Sequence, residues 1–166
     1  MKTKELVIGA MLSAFSLIIP LAFGQTLSIP IPPFSATLAS HVPTMLAFLV
    51  SPLAAIMVGT VSAFGFLITK GPVIAARALM HAAFGGVGAY LVQKRMPLTK
   101  ALIITAPIHA LLEALVVLPF GFSLYKGFII VGVGTLIHHS IDSIITIVIA
   151  KTLQRSTKFI KNKSLI

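Results

Sequence analysis

Residues 72–93 read PVIAARALMHAAFGGVGAYLVQ. At 1.5 Å per residue a helix of this stretch reaches about 33 Å, enough to cross a hydrocarbon core of roughly 30 Å. Arg77 and His81 stand inside it, one helical turn apart and therefore on one face. An arginine at that depth is costly in lipid and turns towards the interior of a bundle. The run Gly85-Gly86-Val87-Gly88 lies within the same stretch, where small residues let helices approach closely, so it is not read as a nucleotide loop. The stretch thus predicts one transmembrane helix among several.

Outward from it, five more apolar stretches have a comparable character: about 5–23, 34–50, 52–69, 100–119 and 127–150. The expected fold is an all-α membrane protein, a single domain over 1–166 built as a bundle of six transmembrane helices. The second and third stretches are separated by little more than Ser51-Pro52, which leaves a re-entrant pair as the alternative. The first follows a short basic start but has no small-x-small cleavage site, so it reads as a retained helix. Composition agrees: 57% of the 166 residues are hydrophobic and only 10% charged, with a mean hydropathy of +1.06. A soluble domain carries about 25% charged residues. Cysteine is absent, which excludes disulfides, thiolate metal sites and cysteine nucleophiles.

The net charge of +10 is a topology signal. With a cytoplasmic N-terminus, Lys2, Lys4, Lys94, Arg95, Lys100, Lys151, Arg155, Lys158, Lys161 and Lys163 fall inside, and only Lys70 and Lys126 outside. Both termini are therefore expected in the cytoplasm, with anionic lipid a further contact for the basic tail. No basic groove interleaved with aromatic residues is present, so nucleic acid is not an expected partner. The first outside loop, residues 24–33, holds Pro30, Pro32 and Pro33 and is expected to be stiff and extended. It reads either as a plain connector or as a lid, the latter because Leu27, Ile29 and Ile31 are apolar.

Ionisable groups within the spans are candidates for function. They are Arg77, Glu113 and Asp142, with His41, His81, His109, His138 and His139. Arg77/His81, His109/Glu113 and His138/Asp142 are each i,i+4 pairs, giving three consecutive helices a polar stripe. Arg77 and Glu113 come out about 8–9 Å below the outer surface and His81 and His109 about 14–15 Å below it, so these four should cluster in the outer half. One account is a neutral ion pair that holds the bundle together. The other is a pocket for a small solute, in which an arginine fork takes a carboxylate and histidine addresses a ring. His138, His139 and Asp142 offer metal-ligand types, but adjacent helical positions point about 100° apart, and no metal or other cofactor is expected. No His-Glu-x-x-His, Gly-x-Ser-x-Gly or phosphate-binding glycine loop occurs, so the chain is not expected to be an enzyme.

Further motifs carry a family resemblance. Ala10-Met11-Leu12-Ser13-Ala14 gives Ala-x-x-x-Ala in the first span, which is also an ordinary helix-packing pattern. Leu38-Ala39-Ser40-His41-Val42-Pro43, then Ser51-Pro52, and Ala76-Arg77-Ala78-Leu79-Met80-His81 add to it. With its six spans and proline-rich first loop, the whole chain resembles the substrate-binding S components of energy-coupling factor (ECF) vitamin transporters, and within them the niacin-transporting branch. The resemblance implies a cell-membrane protein that binds a vitamin in its outer half. It also implies a transmembrane coupling subunit docked on Ala10 and Ala14, and two ATP-binding subunits that supply energy. Arg77, His81, His109, Glu113, His138 and His139 are then the expected substrate-binding residues. Pantothenate or biotin are alternative substrates. A stand-alone proton-coupled transporter, with His138, His139 and Asp142 as a relay, is the alternative mechanism.

Overall fold

Two of the long helices, over 52–70 and 72–93, start where the sequence gives a local reason. In the computed structural model, which describes residues 2–24, 26–156, 164 and 165, α1 spans Thr3–Phe23 and α3 spans Pro52–Lys70. Gln25 of the first loop and Lys158, Lys161 and Lys163 of the basic tail lie outside the described residues. Ser51 caps α3, its hydroxyl accepting from the Ala54 amide at 3.3 Å, and Pro52 supplies the pre-set φ of a first helical turn. Gly71, at φ +86°, makes the abrupt reversal into α4, Pro72–Gln93. α5 spans Leu98–Val116 and has no side-chain cap. Instead the carbonyls of Ser164 and Leu165 accept from the amides of Leu98 and Thr99. The last span begins as a π-helix, Tyr125–Val133, and continues as α6, Gly134–Ser156.

Each of these five spans is long and apolar enough to cross a membrane. Their outward faces carry large apolar side chains, among them Phe15, Ile18, Phe64, Ile103 and Ile144. In water such a surface would be a liability; against lipid it is the expected one.

The second stretch departs from the expectation of a helix over 34–50. Residues 28–31 and 34–37 form an antiparallel hairpin, β1 and β2, with Ile31 opposite Phe34 and Ser28 opposite Thr37. Pro30 lies in extended backbone, as expected of the loop, whereas Pro32 and Pro33 make the turn between the strands. The chain then enters a six-residue helix, α2, Val42–Ala47, followed by tight i→i−3 turns from Phe48 to Val50. Residues 40–51 are buried throughout, apart from Leu46, which is partly buried. α1, α3, α4 and α6 all pack against α2. Irregular backbone at membrane depth is tolerated where protein rather than lipid surrounds it. α3 is a full span, so the pair is not re-entrant.

This short segment still crosses the bundle. Gly9 of α1 abuts Ala54 and Met57, and Leu17 abuts Gly65, so α1 and α3 run parallel. The chain must therefore return between them, which residues 38–51 do. The fold is a bundle of five long helices with α2 as a short, central sixth. Below the hairpin end the core is dry, formed by Met45, Phe48, Phe84, Leu98, Leu102 and their neighbours. Gly88 of α4 makes room for the Phe48 ring.

Candidate functional site

Two helices, α4 and α5, bring Arg77, His81, His109 and Glu113 together, as the i,i+4 spacing leads one to expect. Glu113, on α5, is the hub. Arg77 donates to its Oε2 from Nε at 3.0 Å and from Nη2 at 2.7 Å. Thr135 Oγ1, from α6, donates to the same oxygen at 2.7 Å. The other oxygen, Oε1, lies 3.2 Å from His109 Nε2 and 3.5 Å from His81 Nε2. All four residues are buried. Such a carboxylate is tolerable only because cationic and hydrogen-bonding groups surround it.

Arg77 also reaches the hairpin. Nη1 donates to the carbonyl of Pro33 at 3.1 Å and Nη2 to that of Ser35 at 3.3 Å. Its guanidinium carbon lies 5.3 Å from the Phe34 ring centroid. Four hydrogen bonds to three residues therefore fix the guanidinium plane. The edge formed by Nη1 and Nη2 meets two backbone carbonyls where a carboxylate would supply two oxygens.

His138 and His139 diverge, as adjacent helical positions must. His138 Nε2 donates to Thr37 O at 3.0 Å and lies 3.2 Å from Asp142 Oδ2. His139 Nε2 donates to Leu102 O at 3.0 Å, while its Nδ1 lies 3.1 Å from His109 Nδ1. Asp142 accepts from the Ala39 amide at 2.8 Å and the His41 amide at 2.9 Å. It anchors the chain just beyond the hairpin, where Ala39 adopts φ +65°.

A cavity of about 490 Å³ opens between the hairpin, α3 and α4. Thr37, His41, Arg77, His81, Glu113 and His138 line its polar side, and Lys70 stands on its wall as well. His109 and His139 stand behind these groups. The sequence reading left three contributors out of the site: His41, Thr135 and the hairpin carbonyls. Thr135 is detectable by spacing, four residues before His139. His41 is a histidine in an apolar run, but a helix over 34–50 would have set it apart from the others. The carbonyls have no sequence signal.

Ala10 and Ala14 are exposed on α1, away from the cavity. Gly9 and Ser13, which flank them, are buried, with Gly9 against α3, so the small residues divide between an inward and an outward face.

Apolar helices enclosing a polar cavity define a polytopic membrane protein with an internal solute-sized site, the architecture of a transporter. Over 158 residues, 85% of this chain and 70% of the relative, the sequence is 36% identical to the niacin transporter NiaX of Lactococcus lactis subsp. cremoris (strain MG1363). The chain belongs to that family, the niacin-type ECF S components. No family model and no solved structure matches the chain.

Proposed function

We propose that the protein is the substrate-binding S component of an ECF transporter that imports nicotinate across the cell membrane. One observation carries the reading: among the described residues Arg77 is the sole buried cation, and it lines the cavity. A buried guanidinium whose outer edge rests on neutral carbonyls suits a ligand carboxylate, which makes stronger, charge-assisted bonds there. Glu113 orients Arg77, and His81, His109 and His138 shape the space for a heteroaromatic ring, with His139 bracing His109. The similarity to a niacin transporter supports the choice over pantothenate or biotin.

The bias of lysine and arginine supports an orientation with both termini in the cytoplasm and the hairpin outside. Energy comes from two ATP-binding subunits through a coupling subunit, since the chain has no phosphate-binding loop. Ala10 and Ala14 are the docking positions for that subunit, and their exposure on α1 leaves them accessible to a helix of another chain.

The test is a titration of the purified chain with nicotinate, nicotinamide, pantothenate and biotin. Nicotinate should bind more tightly than its amide by on the order of 2–5 kcal/mol, the cost of losing a buried charge-assisted contact. Equal affinity for acid and amide would remove Arg77 from the role. Uptake by the lone chain in vesicles under a proton gradient would assign it to secondary transport instead.

A further inference from the structure

One buried imidazole in the site, that of His81, has a ring nitrogen, Nδ1, without a hydrogen-bond partner, and His41 Nδ1 faces only the Asp142 carboxylate, with Oδ2 at 3.3 Å. Both residues are 4% exposed. The other nitrogen of His81, Nε2, only approaches Glu113 Oε1, at 3.5 Å. Buried polar atoms are rarely left this way, so the His81 ring is under-bonded on both sides.

A second observation comes from the tautomers along the neighbouring chain of contacts. Leu102 O can only accept, so the hydrogen in its 3.0 Å contact sits on His139 Nε2. In the neutral ring His139 Nδ1 is then a lone pair, and the 3.1 Å contact requires the hydrogen on His109 Nδ1. His109 Nε2 is left as a lone pair too, and it faces a carboxylate oxygen, Glu113 Oε1, at 3.2 Å. Two lone pairs at that distance repel. A positive centre belongs between them.

One proton would serve His109 and Glu113 alone. A metal ion would also draw on the rings of His41 and His81, the latter through Nε2, which faces Glu113, rather than through its unpartnered Nδ1. One donor atom from each of His41, His81, His109 and Glu113 falls within 4.8 Å of the others. Tetrahedral zinc, with bonds of about 2.0–2.1 Å, sets its donors about 3.3–3.4 Å apart. The separations of His109 Nε2 and His81 Nε2 from Glu113 Oε1, 3.2 and 3.5 Å, bracket that edge. Three imidazoles and a carboxylate suit zinc and its first-row neighbours. The surroundings resemble a supporting shell: His139 holds the far nitrogen of His109, and Arg77 and Thr135 hold the far oxygen of Glu113. Asp142 Oδ2 lies 3.3 Å from His41 Nδ1.

We propose that His41, His81, His109 and Glu113 form a zinc-type divalent-cation site in the floor of the cavity. The donors come from the segment before α2, from α4 and from α5. They are not the His138, His139 and Asp142 set that the sequence analysis weighs and sets aside, in which His138 meets Asp142 at 3.2 Å but His139 points away. The proposal does not rest on the choice of vitamin, and its test contains none.

The full chain, purified in detergent and stripped with a chelator, is titrated with Co²⁺ and then with Zn²⁺. The expected result is one equivalent of Co²⁺ with the intense visible absorption of a tetrahedral ion, abolished by Zn²⁺, and a higher unfolding temperature with either metal. His139→Ala, which removes only the support behind His109, should weaken binding by about 10–100-fold. His81→Gln should abolish the tetrahedral spectrum. A folded native chain that takes up neither ion has only a proton in the gap, and the proposal fails. It fails equally if folded His81→Gln gives an unchanged spectrum; should that variant not fold, the native titration and His139→Ala decide the matter.

Discussion

Glu113 and Asp142 each lie four residues after a histidine on an apolar helix, and each is buried, yet the two regions they organise differ in kind. Glu113 is held by side chains: Arg77, His81 and His109, with Thr135 from α6. Asp142 is held largely by main chain, the amides of Ala39 and His41, with His138 beside it. A carboxylate bound to amides fixes where a segment runs. One bound to a guanidinium and imidazoles fixes the charge and shape of a cavity wall. Spacing in sequence puts both acids on interior faces, and only the identity of their partners separates architecture from recognition.

This contrast can be broken by substitution. Asp142→Ala should have the largest effect on stability, because it orphans the buried His41 amide and the part-buried Ala39 amide, at about 1–3 kcal/mol for each buried group, and removes a partner of His138. Thermal unfolding in detergent reads this, and an unchanged midpoint would mean that the segment before α2 needs no anchor. Arg77→Met should cost about 3–5 kcal/mol by leaving Glu113 buried without its countercharge. Adding Glu113→Leu should restore most of that stability without restoring ligand binding, since replacing both members of a buried pair is often near neutral. A double variant that stayed as unstable as the single one would show that the pair matters through its other partners. The smallest effect belongs outside both regions. Ala10→Trp or Ala14→Trp should change ligand affinity by no more than about 0.5 kcal/mol, as exposed substitutions do, while abolishing co-purification with the coupling and ATP-binding subunits. Normal assembly of these variants would end the docking role of α1.

Five spans and the cluster around Glu113 were legible because helix periodicity and apolar length report them directly. Arg77, His81, His109 and Glu113 meet because i,i+4 pairs on neighbouring helices turn inward together. The second crossing was not legible as it stands. Val42, Met45, Phe48, Leu49 and Val50 are apolar because protein surrounds them, and a hydropathy window cannot distinguish that from a helix facing lipid. The error carried over to His41, whose place beside His81, with ring centroids 4.6 Å apart, follows from a hairpin that brings the chain down into the bundle. Gly9 and Ser13 likewise share a small-residue pattern with Ala10 and Ala14, but side-chain size does not say which residues face inward.

The buried path of residues 38–51 bears on how the chain is built. A segment whose only helix is six residues long has too few internal hydrogen bonds to partition alone from the insertion machinery into lipid. Its backbone is sheltered by α4 and α6, which are synthesised after it. Its final placement therefore waits for the C-terminal half, and chains arrested before α4 should leave residues 38–51 open to protease, whereas the complete chain protects them. Equal protection in the arrested chain would show that α1 and α3 alone suffice to shelter the crossing.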